Sequence, residues 1–306
     1  MHDQSTVARC LLLAAIAGSS SLLIAQSPVQ SCNTTPRPAW CSAVPGDRSQ
    51  GWVAQHRSEV MARNGMVTTS QPLAAQAGLD VLKKGGNAID AAVATAAALT
   101  LMEPMNVGPA GDLFAIIDIA KENKLYTLNA SGKAPSGQTV ARMNSLLHNR
   151  GSLFTLDPKS PNAIEPQKRP FNTLSAGFVM KNDRPLMTVT LMGGDMQAQG
   201  IAQVLVNVLD LGANLQAATD MARFRHNQVP NALGLESQLF ALVGGPLRAM
   251  GHTVASINGE VVGGYQAIMF TPDPHAPGAP AGTLQPIKGF YRAGSDHRKD
   301  GQAAGY

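Results

Sequence analysis

Residues 72–101 read as two helices with a hard stop between them, and this pair constrains the fold more than any other stretch. Pro72 suits a first helical turn, where its missing N–H is no loss. The spacing predicts a helix over residues 72–84. Gly85-Gly86 closes it, because glycine accepts the left-handed backbone on which helices end. Lys83 and Lys84 complement the negative end of the helix dipole. Asn87 can cap a second helix, with Asp90 in its first turn. That helix, residues 88–101, is nearly all alanine and small apolar residues, so burial against another helix or a sheet is expected.

Around the pair lie alternating strand and helix signals. Val67-Thr68-Thr69 is a short strand. Gly108-Pro109-Ala110-Gly111-Asp112 is a tight loop. It leads into residues 113–117, an unbroken apolar run expected to be a strand buried on both faces. Residues 124–128 are its hairpin partner. Residues 174–180 and 186–191 form a second hairpin across Asn182-Asp183. Ile201, Val204, Leu205, Val208 and Leu209 recur at helical spacing within 197–211, and Gly212 ends that helix. A further helix covers 239–250 up to Gly251, and the proline-rich stretch 272–286 is a loop. Ordered structure is expected from about residue 66. No internal repeat is present. The pattern is mixed α/β, in a chain of 306 residues that allows one large domain or two small ones.

Function classes narrow by exclusion. The net charge is +4, but Lys and Arg are scattered and no basic run interleaves with aromatics, which argues against nucleic acid. The histidines lack metal-ligand spacing, and Gly108 and Gly111 precede no Gly-Lys-Ser/Thr, so no metal or cofactor is implied. Residues 1–26 place Arg9 before an apolar run and small residues, the layout of an export signal and too short for a stable membrane span. Residues 27–58 form an irregular leader. Cys32 and Cys41 within it can pair in an oxidising compartment or remain free thiols. Lipid anchoring at Cys32 is disfavoured by the preceding Val29-Gln30-Ser31.

Two blocks carry a resemblance. The first, from residue 65 to about 141, holds Lys83-Lys84-Gly85-Gly86-Asn87-Ala88-Ile89-Asp90-Ala91-Ala92 and Glu103-Pro104. The second, from 146 to 306, holds Asn149-Arg150-Gly151-Ser152, Lys168-Arg169-Pro170, Gly193-Gly194-Asp195-Met196-Gln197 and the final fourteen residues from Ala293 to Tyr306. Together they are similar to the γ-glutamyltransferase family (glutathione hydrolases and related acylases), nearer its acylase-like branch. The resemblance implies an N-terminal-nucleophile αββα sandwich in a domain spanning 59–306. It implies acyl or γ-glutamyl transfer or amide hydrolysis on small-molecule substrates. A self-cleaved chain exposes a threonine whose own α-amine serves as base. In this chain the two blocks meet at Ser145-Leu146, as though the segment holding the Thr-Thr-His-x-Ser nucleophile motif were deleted, which leaves the sandwich incomplete. Thr34-Thr35 and Thr68-Thr69 stand in other contexts, and Thr155 lies downstream. The chain is therefore expected to be inactive, a shortened non-catalytic member or a fragmentary gene product.

The same resemblance assigns Gly193 and Gly194 to an oxyanion hole; the residues alone also allow an ordinary strand-to-helix turn. Glutathione-cleaving members carry an arginine where Ser131 stands, with Lys133 the nearest cation, and an acid where Leu153 precedes Phe154. Asn172 and Thr173 replace a serine pair, and either line a pocket or cap a turn. His226, just after Arg223 and Arg225, invites a general-base reading but reads as structural. Asp296 and Asp300 beside Arg298 and Lys299 read as a charged surface loop, the sharper alternative being a role in fixing the carboxyl end.

Overall fold

The computed structural model describes residues 57–109, 111–134, 136–137, 149–273 and 288–306. The export signal, the cysteines, the Ser145–Leu146 junction and most of the proline-rich loop lie outside the described residues. In chain order the strands are β1 (Val60–Ala62), β2 (Met66–Thr69), β3 (Leu113–Ile119), β4 (Lys124–Ala130), β5 (Ala176–Lys181), β6 (Arg184–Met192), β7 (Phe224–Asn227), β8 (Ala232–Glu236), β9 (Val254–Ile257), β10 (Gly264–Pro272), β11 (Gly289–Ser295) and β12 (Gln302–Gly305). The helices are α1 (Pro72–Lys83), α2 (Ala88–Met102), α3 (Gln197–Leu205), α4 (Leu215–Asp220) and α5 (Ser237–Ala249).

One antiparallel sheet dominates, in the order β1-β11-β10-β6-β5. One of its faces presents Met187, Val189, Leu191, Tyr265, Ala267 and Met269, alternate residues of β6 and β10. Val204 and Val208 on and just after α3, and Leu215 and Ala218 on α4, close over them. Burying one such Leu or Met contributes about 1.5–3 kcal/mol. The opposite side of the sheet meets the β2–β12 pair, and α1 covers that pair through Ala75, Leu79 and Ala304. The layer order is thus helix, sheet, sheet, helix, with the second sheet reduced among the described residues to two short strands. Between the sheets the contact is polar: the Thr68 hydroxyl donates to the Gln266 amide oxygen.

The α1–α2 joint folds as its sequence dictates. The Gln71 side chain caps α1, and Gly85 takes φ 92°. Asn87 and Asp90 form a reciprocal capping box, Asn87 Oδ1 accepting from the Asp90 amide while Asp90 Oδ2 accepts from the Asn87 amide at 2.9 Å. Gly78 lets the two helices touch, since a Cβ there would overlap the Thr95 hydroxyl. Asn182 and Asp183 turn the β5–β6 hairpin with φ of 52° and 59°, as mirror-image two-residue turns require. The helix from Gln197 continues through a π-helical turn, Val206–Asp210, before Gly212 at φ 70° ends it.

Four expectations are corrected. Helix α2 is not enclosed: only Ala91 and Thr95 are buried, because its cover among the described residues is chiefly one stripe against α1, with a small contact to β2. Strand β3 is half-buried at best and β4 is exposed throughout, since this hairpin pairs with no other strand among the described residues. Order begins earlier than Met66, as β1 pairs with β11; three residues are too few to show a period. The Asp296–Arg298 stretch is not a surface loop. Asp296, His297 and Arg298 are all buried, for the reason given next.

Candidate active site

Strand register brings separate parts of the sequence to one end of the large sheet. Ala176 pairs with Thr190 and Gly264 with Met192. Residues 172–173 ahead of β5, 193–194 after β6, 263 ahead of β10 and 296–298 after β11 therefore leave the sheet at the same end.

Gly193 and Gly194 lie between β6 and the helical turn opening α3. Gly194 has φ 55° and is exposed, with open space where a Cβ would sit. Gly193 is in extended backbone at φ 176°. It is hemmed in: an added Cβ would lie 2.9 Å from Leu191 Cδ2 and 3.0 Å from Gly263 Cα. The pair thus combines a left-handed residue open to solvent with a neighbour pinned by packing, at a helix start where the backbone favours negative charge.

Asn172 and Thr173 are built into a polar cluster. The Asn172 amide donates to Asp112, Arg150 Nε meets the same carboxylate at 3.0 Å, and Arg150 Nη1 donates to Thr173 Oγ1 at 3.2 Å. Asn172 Oδ1 also accepts from the Leu174 amide at 2.8 Å, so its turn-capping role is realised alongside the cluster. Arg150 and Asp112 were not singled out from the sequence; 38 positions separate them, and only the fold unites them. Lys133 stands exposed and Ser131 is buried. His226 is exposed on β7, its ring bonded to Asn231 at 2.8 Å. The Thr155 hydroxyl accepts from the Asp157 amide at 3.1 Å within a loop.

Beneath the glycine pair sits a buried ionic network that the sequence reading missed. Asp296 receives Arg223 Nη2 on one oxygen and Arg298 Nη1 on the other, the latter at 3.0 Å. Arg298 also grips Glu236 through Nε and Nη2 at 2.8 and 2.6 Å, the planar fork that guanidinium offers a carboxylate. Asp220 meets His297 Nδ1 at 3.0 Å. Burial alone raises the Asp296 carboxyl, but the charges of Arg223, Arg298 and His297 outweigh it and hold that group well below the usual carboxylate range. Burial likewise opposes the charge on Arg298, and Asp296 and Glu236 reverse that, raising it. Arg223 Nη1 donates to the Gly263 carbonyl at 3.0 Å, and Gly263 abuts Gly193. The network therefore fixes the floor on which the glycine pair rests.

With this geometry in place, comparison decides the family. The γ-glutamyltranspeptidase family model matches in two parts, residues 74–145 and 136–306. The chain belongs to the γ-glutamyltranspeptidase family. Relatives of this γ-glutamyltranspeptidase-family chain include the glutathione hydrolase-like YwrD proenzyme of Bacillus subtilis (strain 168), 32% identical over 174 residues, covering 56% of this chain and 31% of that one. The oxamate amidohydrolase proenzyme of Klebsiella pneumoniae is 29% identical over 175 residues, again 56% of this chain and 31% of the relative. The chain spans about a third or less of the length of the curated relatives it matches. Cephalosporin acylase from Bacillus halodurans superposes with a TM-score of 0.70 over 83% of this chain and 98% of that one, at 19% identity. The fold is accordingly that of the γ-glutamyltranspeptidase and acylase group.

Proposed function

We propose that this chain is the scaffold of an exported amide hydrolase or acyl transferase, that it carries the oxyanion site and acyl-pocket residues, and that it does not activate itself. The observation that carries the reading is the glycine pair. Gly194 exposes a left-handed backbone position at a helix start while Gly193 is pinned by Leu191 and Gly263, the rigidity that an anion-stabilising backbone site needs. The Asp112–Arg150–Asn172–Thr173 cluster borders the same sheet end and shapes the acyl side. Lys133, exposed to solvent, is the cation that the resemblance offers for substrate binding.

The acyl group it suits is not a γ-glutamyl zwitterion. Ser131 and Leu153 stand where recognition would need a cation and an anion, and a zwitterion desolvated without partners binds poorly. Arg150 is held by Asp112 and Thr173. A plain acyl amide is the fitting substrate class. The proposed inactive state is supported by the sequence across 141–150, which holds no threonine, and by the two family matches, which leave no residues between them. Export rests on the layout of residues 1–26.

Purified chain should give one species of unprocessed mass, apart from removal of the signal, and no turnover of γ-glutamyl-p-nitroanilide or of an uncharged acyl anilide. Two fragments with a new amino-terminal Thr or Ser, together with anilide release, would overturn the reading.

A further inference from the structure

We propose that the cavity between β1 and the turn joining β11 to β12 binds a free α-amino acid, at a site separate from the glycine pair. The cavity has a volume of about 360 Å3, and Arg57, Ser58, Gln216, Ser295, Asp300 and Gln302 contribute to its wall. That size lies at the small end of the range for small-molecule sites. Binding there is independent of any amide chemistry at the glycine pair.

The wall carries a polar group that the fold leaves unanswered. Ser295 ends β11 and is 2% exposed. Its backbone is fully committed: the N–H donates to Gln216 Oε1 at 3.1 Å, and the carbonyl accepts from Gln216 Nε2 at 3.0 Å. The Ser295 hydroxyl, by contrast, has no hydrogen-bond partner among the described residues. Its cross-strand neighbour Gln266 repeats the pattern. Gln266 Oε1 accepts from the Thr68 hydroxyl, while Nε2 is buried without a partner. Gly301 lies over both groups and leaves no room for a side chain there, since an added Cβ would collide with the Ser295 hydroxyl and lie 2.7 Å from Gln266 Nε2. Buried polar side chains in native proteins are hydrogen-bonded in the large majority. A rigidly held hydroxyl left unpaired on the wall of a cavity points to a polar ligand inside it.

The mouth sets the chemistry of that ligand. Arg57 and Asp300 are both exposed and bring opposite charges to it. Arg57 is anchored, its Nη1 donating to the Gly301 carbonyl at 2.9 Å. A guanidinium suits a carboxylate, and a carboxylate suits an ammonium. A simple anion would be attracted by Arg57 and repelled by Asp300, and a simple amine the reverse. A molecule with both charges a short way apart uses both residues, and the hydroxyls of Ser58 and Ser295 suit a short polar side chain. A small zwitterion such as L-serine meets this description. The position is distinct from the glycine pair: Ser295 ends β11 and Gly193 follows β6, with β10 between them, so two strand spacings, about 10 Å, separate the strands concerned.

The test is titration of the isotope-labelled full chain with L-serine, acetate and ethylammonium, followed by amide NMR shifts. The expected result is saturable shifts at Ser295, Gly301 and Gln302 with L-serine, at a dissociation constant of about 1 mM or tighter, with Gly193 and Gly194 unmoved. Either single-charge compound should bind at least tenfold more weakly. Arg57→Gln and Asp300→Asn, both on exposed side chains, should each weaken L-serine binding at least tenfold. Ser295→Ala should also weaken it while leaving the Tm of the unliganded chain unchanged or higher, because no hydrogen bond is lost; a hydroxyl with only a structural role would lower Tm and leave binding intact. Absence of saturable shifts overturns the proposal, as does L-serine binding indifferent to these substitutions. Acetate binding as tight as that of L-serine would make this an anion site only, and shifts centred on residues 193–194 would assign the amino acid to the glycine pair; either outcome also overturns it.

Discussion

Asp296 accepts from two guanidinium groups in a place water does not reach, and its pH behaviour follows. Its folded-state pKa is depressed. The stabilisation it provides is therefore complete above the unfolded value of about 3.9 and fades as pH falls toward the folded one. Asp296→Asn should cost about 3–5 kcal/mol at neutral pH, because two buried arginines lose their carboxylate. The gap in Tm between the parent and this variant should then narrow as pH drops below about 4. A gap that stays flat from pH 7 to pH 3 would assign the loss to packing instead. Gly194 makes a second case. At φ 55° with nothing near a prospective Cβ, Gly194→Ala meets no clash and should cost about 1–2 kcal/mol from backbone strain alone, measurable by urea unfolding. Neither residue's setting is local. Asp296 was misread as surface because its partner Arg223 lies 73 positions away, and Glu236 lies 62 from Arg298. A charged run looks the same in sequence whether water or a distant arginine satisfies it.

At the scale of elements, the α1–α2 joint is where local sequence and structure agree most closely. Asn87→Ala removes one half of the capping box and should lower stability by about 1 kcal/mol. Asp90→Ala should add little on top, because each side chain completes the other's cap. Additive losses in thermal unfolding of the double variant would show that the box is not a unit. Caps, stops and hairpin turns were legible because each is decided within a few residues: Gly85, Gly212, Gly251 and Asn182-Asp183 all take the left-handed backbone their roles demand. Strands β10, β11 and β12 were not singled out. Their alternation is blurred by Gly264, Gly289, Gly294, Gly301 and Gly305, and glycine at these positions answers to close neighbours rather than to period. Gly294, for instance, would place a Cβ 2.8 Å from the Leu215 backbone. The site was half legible for the same reason. Gly193-Gly194 announces itself, whereas Arg150 and Asp112 become partners only when the loop before β3 meets the turn after residue 148.

For the whole molecule, the uneven cover over the sheets sets the order in which parts should open. The β6–β10 pair is hydrogen-bonded on both sides and sealed by α3 and α4. The β3–β4 hairpin has one ladder and, among the described residues, only a small packing contact of β3 with β5 beyond it. Opening free energy scales with the apolar surface and hydrogen bonds that must be given up together. Amides of 113–130 should thus exchange through local opening, at rates little affected by stabilising the core, while those of 187–191 and 265–269 should exchange only through global unfolding. Leu191→Ala separates the two classes. It removes a buried side chain and should cost about 2–5 kcal/mol. Exchange at Val189 and Ala267 should accelerate by the full factor that this cost implies, and exchange at Ile116 and Thr127 should not change. Equal acceleration in both regions would mean that the hairpin unfolds with the sheet, coupled to it through the contact of β3 with β5.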